Sequence, residues 1–195
     1  DSLMAFGEHV FHRCSKLKTI KFPKKIKEIK PYSFCDCESL ETFNIPSDVI
    51  KISDNAFLHC HSLTNVEFNE GLQEIGNNAF SRSNLKIVKL PNSLKIMNNN
   101  AFSGCRNLES IIINDGIEKI GEYAFGGCTN LKNVYLPSNI KYLSTGLFCD
   151  CVDLEKIAIP DSVTAMGECV FQNCKNLKDV NLPKNIKIIP KHTFK

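Results

Sequence analysis

Residues Asn107 to Cys128 read NLESIIINDGIEKIGEYAFGGC. Leu108, Ile111 and Ile113 fall as Leu-x-x-Ile-x-Ile. Ile117-x-x-Ile120 leads into Gly121, and Ala124-Phe125-x-x-Cys128 closes the stretch. The same spacing returns along the whole chain. Its clearest ruler is one phenylalanine: Phe11, Phe34, Phe57, Phe80, Phe102, Phe125, Phe148, Phe171 and Phe194. The step is 23 residues, except for 22 between Phe80 and Phe102. A fixed period of this length is the signature of a solenoid. The residue missing from the short unit lies between Phe80 and Leu85, in the turn where other units carry Cys-x-x-Leu, so that unit can close with its apolar positions undisturbed.

Each recurring position has a physical reason. Val134-Tyr135-Leu136 and Val180-Asn181-Leu182 alternate with period two, as a short strand with one inward face does. Pro23, Pro46, Pro91, Pro137, Pro160 and Pro183 follow these strands and remove a ladder donor, which stops pairing. Asn69-Glu70-Gly71 and Asn114-Asp115-Gly116 take the proline's place in two units as turn formers. The pairs Ile26/Ile29, Val49/Ile52, Leu72/Ile75 and Ile117/Ile120 predict a second row of short strands. Gly76, Gly121 and Gly167 predict a sharp change of direction. Ala-Phe-x-x-Cys is expected to form one helical or 3₁₀ turn. No unit could bury its apolar residues alone, but stacking places each under its own counterpart and builds one continuous core.

The pattern Phe-x-x-Cys-x-x-Leu-x-x-Val-x-Ile-Pro-x-x-Ile-x-x-Ile-Gly-x-x-Ala-Phe resembles the BspA-like leucine-rich repeats. Residues 151–171, CVDLEKIAIPDSVTAMGECVF, lie close to that consensus. The resemblance covers essentially the whole chain. Departures are the lost cysteine after Phe80, Leu147 and Val170 at the alanine position, and Pro31 and Pro190 near the turn glycine. The resemblance implies an α/β repeat solenoid. It would be a right-handed leucine-rich-repeat superhelix of about eight 23-residue units, with a parallel sheet on its concave face. It also implies a cell-surface or secreted location and a protein ligand, such as host extracellular matrix or another cell surface. It brings no catalytic residues with it. The chain enters and leaves in mid-unit without polar caps, so residues 1–195 are expected to be a single repeat domain and a piece of a longer protein.

Composition narrows the function classes. A hydrophobic content of 43% suits a folded domain. No apolar run approaches membrane-spanning length, so this stretch is not expected to insert directly into a membrane. Charge is uneven: residues 1–30 carry eight Lys or Arg against three acids, and residues 175–195 carry six Lys against one. The lysines Lys16, Lys18, Lys21, Lys24, Lys25, Lys27 and Lys30 are a candidate polyanion patch, with Lys21, Lys24, Lys25 and Lys27 at its centre. The plainer reading is a solvated face, since lysines at the ends of repeats usually face water. No aromatics interleave with them, which argues against nucleic acid.

Seven of the ten cysteines keep the period: Cys14, Cys37, Cys60, Cys105, Cys128, Cys151 and Cys174. Stacking sets them in a row with parallel Cβ vectors, which disfavours bridging, so the reading is a ladder of small buried thiols. Cys35 and Cys149 follow Phe and are expected on the outer, more reactive side of the turn. Neither Cys35-x-Cys37 nor Cys149-x-Cys151 has the two further ligands that zinc wants.

No paired carboxylates, nucleophile–base set or phosphate-cradling loop recurs, so no enzyme and no cofactor are expected. Asp36, Glu38, His59 and His61 flank two ladder cysteines on adjacent turns and are a candidate metal cluster, or an exposed carboxylate–imidazole pairing. The stronger candidate is the outer face of the first strand row. Its residues are mostly polar, but Ile87, Ile112, Tyr135 and Ala158 stand on consecutive rungs. A contiguous apolar run of this kind marks an interface, although strand propensity alone also selects Ile and Tyr. The candidate partner site is Ile87, Ile112 and Tyr135, with Asn133, Lys156, Ser110 and Lys89 as its polar rim.

Overall fold

Two left-handed residues in every turn decide how the chain closes on itself. The structure, a computed structural model, describes residues 3–195. Positive φ occurs two residues before each ladder phenylalanine, at His9, Tyr32, Asn55, Asn78, Asn100, Tyr123, Gly146, Cys169 and His192. It recurs two residues after, at Arg13, Asp36, His59, Arg82, Gly104, Gly127, Asp150 and Asn173. A left-handed residue every fourth position ends any helix before it forms. The Ala-Phe-x-x-Cys segments are therefore chains of tight turns, and among the described residues there is no helix. The expected α/β class and the helical or 3₁₀ turn are corrected accordingly: this is an all-β solenoid.

Between the turns run two rows of very short parallel strands. The two-residue row is β1 (Glu28–Ile29), β3 (Lys51–Ile52), β5 (Glu74–Ile75), β7 (Ile96–Met97), β9 (Lys119–Ile120), β11 (Tyr142–Leu143) and β13 (Ala165–Met166). The three-residue row is β2 (Thr42–Asn44), β4 (Asn65–Glu67), β6 (Ile87–Lys89), β8 (Ser110–Ile112), β10 (Asn133–Tyr135), β12 (Lys156–Ala158) and β14 (Asp179–Asn181). Among the described residues each row has seven strands, one fewer than the eight or so expected for the first sheet. Thr19–Lys21, one period before β2, does not join a ladder.

Register follows the repeat. Ile29, Ile52, Ile75, Met97 and Ile120 are successive partners, all buried. Val88, Ile111 and Val134 are successive partners in the other row, the first two buried and Val134 half-buried. The three-residue row is interrupted twice, between β4 and β6 and between β10 and β12. The first break lies beside the one-residue deletion. Ser83 occupies the cysteine position there, and the loss between Ser83 and Leu85 shifts the chain entering β6. Leu85 and Val88 nevertheless stay buried, so the deletion is absorbed by the ladder and not by the core. The two-residue row parts between β9 and β11. The turn carrying β10 and β11 is thus bonded to the preceding turn through one row and to the following turn through the other.

The phenylalanines form the spine. All nine stack in one column, with ring centroids 5.1–5.9 Å apart and planes within 14° of parallel. Phe34 to Phe171 are fully buried, each worth about 3 kcal/mol of transfer free energy at the upper end. The Phe57 amide donates to the Ala79 carbonyl at 2.7 Å, and Phe102 to that of Ala124 at 2.9 Å, so the turns also ladder through their backbones. Gly76, Gly121 and Gly167 have a different role from the expected one. Their φ values are not left-handed. A Cβ on Gly121 would lie 2.4 Å from Asn98 C and Asn99 N, so glycine is required because two turns touch there.

Candidate functional site

The face of the three-residue row carries two columns of outward side chains, because alternate strand residues point the same way. One column runs Ile87–Ser110–Asn133 and the other Lys89–Ile112–Tyr135. Ile112 and Tyr135 are therefore direct cross-strand neighbours, and Ile87 sits diagonally from Ile112. Exposures are 65% for Ile87, 40% for Ile112 and 59% for Tyr135, high for residues of this size. Across the break between β10 and β12 lies a shallow groove of about 420 Å³. Tyr135, Asn133, Lys156, Ala158, Asp179 and Asn181 line it. The first four belong to the run read from the sequence. Asp179 and Asn181 join them as the cross-strand partners of Lys156 and Ala158 in the β12–β14 ladder.

Two other concavities follow from the same departures from regularity. A groove of about 710 Å³ opens at the β9–β11 break, beside Tyr142. A wider polar trough of about 1010 Å³ runs along the phenylalanine turns, lined by His61, Arg82, Arg106 and Tyr123, where Gly104, Gly126 and Gly127 leave the ridge low.

The N-terminal lysines are partly neutralised. Lys27 pairs with Asp48 at 3.0 Å and Lys18 with Glu41 at 3.3 Å, and Lys30 pairs with Glu28. Lys21, Lys24 and Lys25 are exposed and make no ion pair among the described residues. Pairs this exposed add little stability, but they do lower the local potential.

The Asp36, Glu38, His59 and His61 quartet does not assemble. His59 Nδ1 lies 2.9 Å from Asp36 Oδ1. His61 turns to the next unit, where its Nδ1 faces the Arg82 carbonyl at 3.1 Å, and Glu38 is exposed. The residues that do join Asp36 are His12, whose Nε2 is 3.4 Å from Oδ2, and Cys35. Burial pushes the Asp36 carboxyl up, but hydrogen bonds from His59 and His12 outweigh it and hold it below its ordinary value. His12 and Cys35 were legible: both follow a ladder phenylalanine by one residue, so stacking had to make them neighbours.

All ten cysteines are unpaired. The ladder thiols donate back one turn: Cys60 to the Phe34 carbonyl at 3.1 Å, Cys105 to Phe80 at 3.1 Å and Cys151 to Phe125 at 3.3 Å. Burial pushes Cys37 and Cys174 up to about 12 and Cys105 to about 11. Cys35 and Cys149 are not on the reactive outer side. Both are buried, and burial pushes them up to about 11 and about 12. Cys14 is exposed, and Cys169 and Cys174 are half-buried.

The BspA type leucine rich repeat region matches residues 1–109 and 95–195, in six copies. A leucine-rich repeat protein from Bacteroides ovatus has a solved structure with a TM-score of 0.88 and 29% identity, over 92% of this chain and 47% of its own. This chain thus spans about half the length of that protein. The T. pallidum leucine rich repeat protein is 32% identical with a TM-score of 0.73, over 79% of this chain and 72% of its own. A leucine rich cell surface protein from Faecalibacterium prausnitzii shares the fold at 22% identity and a TM-score of 0.51, over 92% of this chain and 63% of its own. No curated protein matches the sequence.

Proposed function

The chain belongs to the BspA-type leucine-rich repeat family, and from that premise we propose that it is an extracellular or cell-surface module that binds a protein through the outer face of its three-residue strand row. The observation that carries this reading is Ile112 beside Tyr135 in register, opening onto the groove beyond β10. Tyrosine is a common interface anchor, because it offers a broad apolar ring and a polar tip at little rotamer cost. Asn133, Ser110, Lys89 and Lys156 give the polar rim that surrounds such anchors. A surface location is supported by the name of one structural relative, the cell surface protein of Faecalibacterium prausnitzii. Host extracellular matrix and other cell surfaces are the ligands to try first.

The test is binding of the 195-residue chain to immobilised matrix proteins and to whole cells. Tyr135→Ala is expected to weaken binding by about 2 kcal/mol or more with the fold intact. Lys24→Ala with Lys25→Ala is expected to change mainly the association rate and its salt dependence. If Tyr135→Ala binds like the parent and the lysine variant does not, the strand-face reading fails and the basic patch replaces it. If nothing binds, the repeats are a spacer that presents another domain.

A further inference from the structure

We propose that His12, Cys35 and Asp36 form a binding site for one borderline transition-metal ion of the zinc class, with His59 and His9 holding two of the ligands in place.

One nitrogen, one sulfur and one oxygen donor from these three residues lie within 4.8 Å of one another. The donors come from two consecutive turns, so the stacking of the solenoid and not a flexible loop sets their separation. Their chemistry is selective. A thiolate and an imidazole suit zinc, cobalt or copper, whereas calcium and magnesium take oxygen ligands. The two anionic donors balance the charge of a divalent ion.

The surrounding contacts orient the donors, as outer contacts do at metal sites. The Asp36 carboxylate is divided: His59 Nδ1 holds Oδ1 at 2.9 Å and leaves Oδ2 towards His12. The His12 ring is fixed from its far side, where its Nδ1 meets His9 Nδ1 at 3.2 Å. His9 in turn stacks on Tyr32, 4.7 Å away with planes 6° apart. His12 Nε2 is left facing Asp36 Oδ2 at 3.4 Å. With the metal bound, the His12 proton resides on Nδ1 and is shared with His9, so Nε2 presents its lone pair. The Cys35 thiol gives its proton to solvent as the sulfur–metal bond forms. His12 and Asp36 remain partly exposed, which leaves the fourth position to water. Arg13 approaches Asp36 Oδ2 at 3.7 Å, but it is largely exposed and free to swing away from an incoming cation.

The experiment uses the reduced, metal-free 195-residue chain. Zinc is titrated in competition with a chromophoric chelator, and cobalt(II) is added as an optical probe. One equivalent of each metal should bind, and cobalt should show a sulfur-to-metal absorption band. Cys35→Ser should abolish the band. His12→Asn and Asp36→Asn should each weaken zinc binding by more than tenfold. His59→Ala should weaken it about 10- to 100-fold, the range typical of orienting contacts, with the band retained. His61→Ala and Cys14→Ser should change nothing. The variants are compared in thermal unfolding with chelator present. Should Cys35→Ser fail to fold, His12→Asn at the exposed edge decides the matter. A band that survives in Cys35→Ser, unchanged affinity in Asp36→Asn, or loss of the band in Cys14→Ser would overturn the proposal, as would a chain that binds neither metal. None of these readouts depends on the strand face, so this site and the protein-binding face fail separately.

Discussion

The Cys128 thiol donates to the Phe102 carbonyl oxygen across 3.2 Å, and the Cys105 amide in the turn of Phe102 donates to that same oxygen at 3.2 Å. One bond closes the turn and the other ties the next turn to it. The ladder cysteine is therefore a buried donor between units as well as a small apolar side chain. Cys128→Ala removes the donor and the sulfur volume, and is expected to cost about 1–2 kcal/mol. Cys128→Ser keeps a donor and should cost less; Ser83 already occupies this position in one turn. Urea unfolding of the two variants measures the order. The reverse order would assign the cysteine a packing role alone.

Thiol chemistry should report the stack directly. In the native protein Cys14 is expected to react first with a thiol reagent, then Cys169 and Cys174, with the other seven slow. All ten should react under denaturant without prior reduction. A mass consistent with disulfides would contradict the unpaired ladder.

Alkaline pH should destabilise the fold through the same thiols. Folding raises Cys35 and Cys105 to about 11 and Cys37, Cys149 and Cys174 to about 12, from an ordinary value of 9.0. Above pH 9 the unfolded chain therefore releases protons that the native chain keeps. The stability is fully present below that value and is lost as pH rises towards 11 to 12. The urea midpoint should fall between about pH 8 and about pH 10.5, and Cys105→Ala should flatten the fall. An unchanged midpoint would contradict the burial assigned to these groups.

Truncating the spine should be expensive. Phe102 is fully buried between Phe80 and Phe125, at 5.3 and 5.9 Å, so Phe102→Ala is expected to cost about 3–5 kcal/mol in chemical unfolding. A loss under about 1 kcal/mol would mean that the column tolerates gaps.

Gly121 and Gly7 make a matched pair. Alanine at Gly121 would press a methyl group into the backbone of Asn98 and Asn99, and is expected to cost about 3 kcal/mol, the upper end for overpacking. At Gly7 the nearest atom to the added carbon is 4.0 Å away, so Gly7→Ala should lie within about 0.5 kcal/mol of the parent. Thermal unfolding of both tests whether contact between turns, and not backbone freedom, selects glycine.

Positions that repeat in sequence were legible because stacking converts them into contacts. Phe57, Ala79, Leu108 and Ile111 could be placed inside by period alone. The turn conformation was legible in principle and missed. Asn55, Asn78, Asn100, Asp150 and Asn173 occupy left-handed positions that their side chains favour, but Ala-Phe-x-x-Cys also suits a helical turn, and the local pattern hid the break. The metal candidate shows a different difficulty. Asp36 and His59 stand one period apart, and the stack brings them together at 2.9 Å. Glu38 and His61 flank the cysteines symmetrically in sequence, whereas the left-handed backbone at Asp36 and His59 turns those flanking positions apart. The ladder breaks could not be read at β10 and β11, where the spacing stays at 23 residues and the interruption depends on how whole turns settle against each other.

The two left-handed residues in each turn bear on how such a chain can grow. Every unit carries its own means of reversing direction and bonds only to the units on either side. A duplication or loss of one Phe-to-Phe segment in the gene would therefore join surfaces that already fit, with no register to re-establish elsewhere. The 22-residue unit shows how much irregularity the stack tolerates: it is one residue shorter, the ladder beside it is open, and the phenylalanine column runs on. Copy number in this architecture is thus free to drift, and reach can change without any change in the exposed residues that a partner meets.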